Sequence, residues 1–183
     1  MRTLHYHVAT TVDGFIATID HQFDFFAREG EHVDDYLATL RSYGTVIMGR
    51  RTYEVGLRLG VADPYPWAET WVFSKSLATS PTPRVKVVAS DVTSTVRALK
   101  SQEGGPIYLC GGGMLAARLF ADGLIDEVDL KVNPHLLGAG IPLAPVGGRV
   151  DLSLKAAQVY RTGVVLLRYE VIQASPRPQP HAE

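Results

Sequence analysis

The chain has 183 residues, 46% of them hydrophobic and 20% charged, which is the composition and size of one globular domain able to bury roughly 70% of its unfolded surface. A single cysteine, Cys110, excludes a disulfide framework and a thiolate metal cage. A formal charge of −1, from 18 basic and 19 acidic residues, offers no basic field for a nucleic-acid backbone, and apolar runs such as residues 164–167 are far too short to span a bilayer.

Residues 4–10 are apolar and β-capable and end at Asp13-Gly14, which predicts a first strand. Residues 15–30 lack a period and hold three phenylalanines, so an ordered loop is expected there. Val33, Tyr36, Leu37 and Leu40 recur at helical spacing, with Gly44 as the stop. Residues 45–48 form a short buried strand, and residues 50–59 a second helix closed by Gly60. Trp71-Val72-Phe73 and residues 85–89 are two further short strands. Asp91 can cap a helix whose apolar face is Val92, Val96 and Leu99. Residues 107–110 are again a buried strand, followed by a helix over 114–122 that ends at Gly123.

From Val128 the pattern changes. Val128, Leu130 and Val132 alternate with Asp129 and Lys131, the period of a half-exposed strand. On the first strand His5 and His7 point the same way and read as a half-exposed face. Residues 134–149 form a Gly/Pro-rich loop, and the strands 152–160 and 164–171 flank the hairpin signal Arg161-Thr162-Gly163. Alternating strands and helices followed by an antiparallel end imply an α/β fold. Its sheet is mixed and mostly parallel, of about eight strands, with helices on both faces and a C-terminal antiparallel hairpin. A single domain over residues 1–173 and a flexible tail over 174–183 are expected. The N-terminus lacks the apolar core of a signal peptide, which points to the cytoplasm.

In an open parallel sheet, ligands bind beyond the carboxyl ends of the strands. Three such ends carry the chemistry of a phosphate site. In Met48-Gly49-Arg50-Arg51-Thr52 a glycine turn opens a helix bearing two guanidinium groups and a hydroxyl, which suits an anion. Ser74-Lys75-Ser76 adds two hydroxyls and an ammonium straight after a strand. Cys110-Gly111-Gly112-Gly113-Met114-Leu115 places three glycines between a buried strand and a helix, where backbone can approach a pyrophosphate. Gly111-x-Gly113-x-x-Ala116 satisfies the Rossmann pattern formally, but it comes late and no further βα units follow, so a standard Rossmann domain is excluded. The six histidines lack metal-ligand spacing, and no metal site is expected.

Together with Thr11-Val12-Asp13-Gly14-Phe15-Ile16-Ala17, Gly123-Leu124-Ile125-Asp126-Glu127, and Pro134 followed by Leu137-Gly138-Ala139-Gly140, these loops resemble the dihydrofolate reductase-like superfamily. More narrowly, the chain resembles the C-terminal reductase domain of bifunctional riboflavin-biosynthesis enzymes (the RibD C-terminal domain type), over nearly its whole length. The resemblance implies NADPH as cofactor. Gly111, Gly112 and Gly113, with Cys110, Met114 and Leu115 beside them, would hold the pyrophosphate. Gly49, Arg50, Arg51 and Thr52 would lie along the adenosine phosphates, and Ser74, Lys75 and Ser76 would read the 2′-phosphate. Ala9, Ile16 and Ala17 would flank the nicotinamide. Asp13 faces that position and is the candidate catalytic residue, with Asp24, Asp34 and Asp35 as further carboxylates that could contact substrate.

The cofactor carries hydride chemistry, which accounts for the lack of a nucleophile triad. The implied activity is reduction of a small heterocycle, with 5-amino-6-(5-phosphoribosylamino)uracil as the named relative. Dihydrofolate reduction and a non-catalytic nucleotide-binding module are the alternatives. The apolar C-terminal hairpin suggests a homodimer.

Overall fold

A computed structural model describes residues 1–172; the expected tail over 174–183 lies outside the described residues. The elements in chain order are β1 (Leu4–Thr11), β2 (Phe15–Ala17), α1 (Glu31–Leu40), β3 (Thr45–Gly49), α2 (Arg50–Arg58), β4 (Glu69–Phe73) and β5 (Val85–Val88). They continue with α3 (Val92–Ser101), β6 (Ile107–Gly111), α4 (Gly113–Ala121), β7 (Glu127–Asn133), β8 (Ile141–Pro142), β9 (Asp151–Val159) and β10 (Val165–Ile172).

Eight strands form one sheet in the order β5-β4-β3-β6-β1-β7-β10-β9. The six from β5 to β7 are parallel, while β10 is antiparallel to β7 and β9 antiparallel to β10. The mixed, mostly parallel sheet and the C-terminal hairpin match the expectation from sequence. Alternation along the buried strands sends side chains to both faces. Ile47, Ile107 and Leu109 pack against Val96 and Leu99 of α3 and Ala116 and Leu119 of α4. Val46, Met48 and Tyr108 pack against Leu40 of α1 and Tyr53 of α2. Helices therefore cover both faces, as parallel crossovers require. The cap on α3 is the expected one, Asp91 accepting from the backbone N–H groups of Thr93 and Ser94.

Three expectations are corrected. The loop expected over 15–30 contains β2, and the loop over 134–149 contains β8; the two pair antiparallel as a separate small sheet. Strands of three and two residues are too short to show a period. On α1, Leu37 is 53% exposed whereas His32 is only 1% exposed, so the buried stripe is rotated by one position pair. The faces of β1 and β7 expected to be half-exposed are covered, because α1 lies across them: His7 and Asp129 are each 3% exposed. His7 contacts the edges of Tyr36 and Tyr108.

The Gly123–Glu127 motif has a structural job. The Lys100 ammonium, 3% exposed, donates to Leu124 O at 2.8 Å and to the Asp126 carboxylate, which also accepts from Leu4 N at 2.7 Å. That link fixes the start of β1 against the loop entering β7. No described helix is long and apolar enough to cross a membrane.

Candidate functional site

Because β4, β3, β6, β1 and β7 run in the same direction side by side, the loops that follow them emerge at one edge of the sheet. Met48 lies opposite Gly111, and Gly49 opposite Phe73. The structure thereby places the three glycine- and cation-bearing loops next to one another, with Asp13 and the 134–140 loop on the β1 and β7 side.

The glycine turn is required by space as well as by conformation. Gly111 has φ +143, a region that side chains rarely adopt, and its peptide bond to Gly112 is cis. A Cβ on Gly113 would lie 2.5 Å from Pro142 O, which the backbone could not accommodate. Gly112 precedes α4 and Gly49 precedes α2, and neither helix has a side-chain cap. The first-turn N–H groups of both nine-residue helices are thus left for an external acceptor at the positive ends of the two dipoles. The Thr52 hydroxyl stands beside the turn, its Oγ1 3.3 Å from where a Gly111 Cβ would be. Met114 is exposed, and Leu115 packs partly into the core.

The basic groups divide by partner. Arg50 donates to Glu54 at 2.7 Å one helical turn away, so its charge is already compensated. Arg51 and Lys75 are exposed with no ion-pair partner among the described residues. Ser74 is 9% exposed; its Oγ accepts from Ser76 N at 3.1 Å and Leu77 N at 2.8 Å, and so shapes the loop while keeping its own proton to donate. Ser76 remains exposed. A groove lined by Lys75, Ser90, Val92 and Arg118 runs beside this loop.

On the opposite side, Ala9 of β1 is half-buried, as is Ile16 of β2, while Ala17 is buried. Asp13 is held by three donors: Thr11 Oγ1 at 2.6 Å, Leu137 N at 3.0 Å and Gly138 N at 2.7 Å. The Thr11 hydroxyl first, and the two backbone groups after it, keep its carboxyl below the ordinary range. Asp13 is therefore an anion that pins the 134–140 loop, a poor proton donor at neutral pH. Asp24 and Asp34 are exposed. Asp35 accepts from Gln158 Nε2 at 3.0 Å and Tyr160 OH at 2.8 Å.

Sequence reasoning missed the aromatic wall of this edge. The Tyr36 and Tyr108 hydroxyls are 2.8 Å apart, and Tyr65 OH lies 3.2 Å from Cys110 Sγ. Burial raises the pKa of the Cys110 thiol and of all three phenols, so all four groups stay protonated. The alternation Tyr108-Leu109-Cys110 carries the signal for two of them; Tyr36 and Tyr65 join from a helix and a loop. Lys131 also faces this side, its Nζ 5.0 Å from the Tyr36 ring centroid. Among the described residues no group of three or more His, Cys, Asp or Glu is arranged to hold a metal ion.

Comparison with known proteins agrees with this fold. Residues 66–167 match the family model described as RibD C-terminal domain. The uncharacterized protein YwjB of Bacillus subtilis (strain 168) is 32% identical over 162 residues, covering 87% of this chain and 93% of that protein. Among solved structures, a Shewanella sp. PV-4 protein named for riboflavin biosynthesis superposes with a TM-score of 0.81 at 22% identity, covering 94% of this chain and 100% of the other. A Thermotoga maritima diaminohydroxyphosphoribosylaminopyrimidine deaminase/5-amino-6-(5-phosphoribosylamino)uracil reductase gives 0.70 at 14% identity, over 93% of this chain and 57% of that one. Dihydrofolate reductase from Enterococcus faecalis, complexed with NADP(H), gives 0.64 at 17% identity, over 92% and 94%. At these identities the structural likenesses establish a shared fold.

Proposed function

The chain belongs to the RibD C-terminal domain family, and on that premise we propose that it is an NADPH-dependent reductase of a small heterocyclic compound, 5-amino-6-(5-phosphoribosylamino)uracil or a relative of it. One observation carries the reading: two helices without side-chain caps open onto the same sheet edge across a glycine turn that leaves no room for a Cβ at Gly113. A dinucleotide pyrophosphate suits that combination of free N–H groups and close backbone. Gly111, Gly112 and Gly113 with Thr52 would hold it. Arg51 and Lys75, exposed and without an ion-pair partner among the described residues, would take the remaining phosphates, the 2′-phosphate among them. Ser76 and the Ser74 hydroxyl proton would add donors, and Arg50 would contribute only after exchanging its Glu54 partner.

When bound, NADPH supplies the hydride. The chain's own residues then bind, orient and exclude water. Ala9, Ile16 and Ala17 offer small or apolar contact to a flat ring. Asp13 positions the 134–140 loop that borders that ring. Tyr36, Tyr65 and Tyr108 close the other side with protonated phenols, which suits a neutral, stacked substrate ring.

The assembly is part of the proposal: a homodimer in the cytoplasm. It is supported by β9, which is exposed along its whole length at the edge of the sheet and presents Leu154 and Val159 to solvent at 56% and 77%. Such an edge is a template for pairing with a second copy.

Separate titrations of NADPH and NADH, read by cofactor fluorescence and thermal shift, test the reading. NADPH is expected to bind at least about tenfold more tightly, the discrimination that one or two charge-assisted phosphate contacts provide. Equal affinities, or no binding of either, overturn it.

A further inference from the structure

The sheet is covered unequally on the side where α3 and α4 pack. Residues directly opposite one another on neighbouring strands share a face. On that side Tyr169 of β10 lies between Val128 of β7 and Leu154 of β9, and Leu167 lies between Leu130 and Ala157. The cover fades across these strands. Val128 is 2% exposed and belongs to the core beneath α3 and α4, Tyr169 is partly buried at its margin, and Leu154 is 56% exposed. Val159, further along the same face of β9, is 77% exposed.

Charge is distributed the wrong way round for a solvated face. Asp129 and Lys131 of β7 and Arg168 and Glu170 of β10 alternate onto the α1 side, and Lys155 of β9 joins them there by its bond to Glu127. No residue of β7, β10 or β9 that alternates onto the α3/α4 side is charged. An antiparallel sheet with one solvated face turns its polar residues to the water. Here the polar residues lie on the other side, and the uncovered face is apolar.

A ribbon of three strands, each seven to nine residues long, presents roughly 400 Å² at ~3.4 Å per residue and ~4.8 Å between strands. Contiguous apolar surface of that size marks an interaction site. Two such faces stacked on each other withdraw about 800 Å² before any rim is counted, close to the ~1,000 Å² that a stable interface requires. The segment that follows β10 lacks the chemistry to cover this face: residues 173–183 contain no Val, Ile, Leu, Met, Phe, Tyr or Trp. A face without charge carries no pattern that selects an unlike partner, whereas two-fold rotation makes it complementary to itself. The edge of β9 is less suited to the contact, because a bulge at Lys155 interrupts it.

We propose that a second copy of this chain covers the apolar face of β7, β10 and β9, the two sheets stacking face to face as in a β-sandwich. The proposal rests on the homodimer reading above and gives that dimer its surface. It also gives β9, exposed along its whole length in one chain, a partner that shields it.

The test is sedimentation velocity on the full chain from about 1 to about 100 µM, paired with hydrogen exchange of the β9 amides over the same range. The wild type is expected to pass from monomer to dimer, with β9 protection rising in step. Leu154→Glu and Val159→Glu, each placing a carboxylate in the contact, should raise the dimer Kd at least about 100-fold and abolish the concentration dependence of exchange. Ser153→Lys, on the opposite face of the same strand and across from Glu170, should leave Kd within about threefold. Unchanged NADPH titrations are expected to show that all three variants are folded. A dimer that persists in both carboxylate variants overturns the face assignment and leaves the homodimer reading standing. Equal disruption by Ser153→Lys places the contact at the edge and overturns it likewise. A chain that stays monomeric throughout overturns both, and slow β9 exchange in that monomer would identify residues of the same chain as the cover.

Discussion

The Asp13 carboxylate accepts a hydrogen bond from the Gly138 N–H at 2.7 Å across 125 residues of sequence, joining the end of β1 to the loop after β7. Its depressed pKa fixes the sign of the pH effect: the clasp is complete above the unfolded carboxylate value of about 3.9 and is lost as pH falls through the lower folded value. The Leu137 and Gly138 amide proton shifts are expected to move only in that acidic window, and to lose the inflection in Asp13→Asn. An inflection near neutral pH would instead make Asp13 a proton-transfer group.

Gly113→Ala is expected to destabilise the protein by about 1–3 kcal/mol, the usual cost of forcing atoms into a packed site, because its Cβ would meet Pro142 O at 2.5 Å. NADPH affinity should fall with it, measured by fluorescence titration. A variant of wild-type stability and affinity would show that the turn has slack the packing does not suggest.

Asp126→Ala leaves the Lys100 ammonium, 3% exposed, with only the Leu124 carbonyl. Breaking one side of such a pair costs about 3 kcal/mol or more in chemical denaturation. Replacing both partners in Lys100→Met/Asp126→Leu should recover a substantial part of that loss. A double variant no better than the single one would place the stabilisation in the Asp126–Leu4 backbone bond rather than in the charge pair.

Burial lowers the His7 pKa to about 4 from the ordinary 6.5. A base with a depressed folded pKa contributes no penalty above pH about 6.5 and destabilises progressively as pH falls toward about 4, by about 3 kcal/mol in all. Denaturation midpoints taken across that window should therefore fall in the wild type and stay flatter in His7→Phe. Parallel profiles for the two proteins would mean that His7 is solvated.

Local patterns made the sheet and the glycine turn legible. The β3, β4, β5 and β6 runs are short, apolar and bounded by turn residues, and three consecutive glycines between a strand and a helix have few other uses. The polar face under α1 was not legible. Asp129 and Lys131 alternate with apolar neighbours just as they would on a solvated strand, and only the helix laid across them decides otherwise. The partners of Asp13 lie more than a hundred residues away, beyond any local signal. The Arg50–Glu54 pair, by contrast, stands at helical spacing in the sequence and could have been anticipated.

The strand order has a consequence for how this chain comes into being. Of the described strands β1 is synthesised first, yet both its neighbours, β6 and β7, begin only at Ile107 and Glu127. β2 likewise waits for Ile141 and Pro142. A nascent chain that ends before Ile107 holds β1 with neither ladder available, a state rich in unsatisfied backbone groups and dependent on long loop closure. The middle of this sheet thus closes only once β6 and β7 have been made, and β1 finds its place long after it was synthesised.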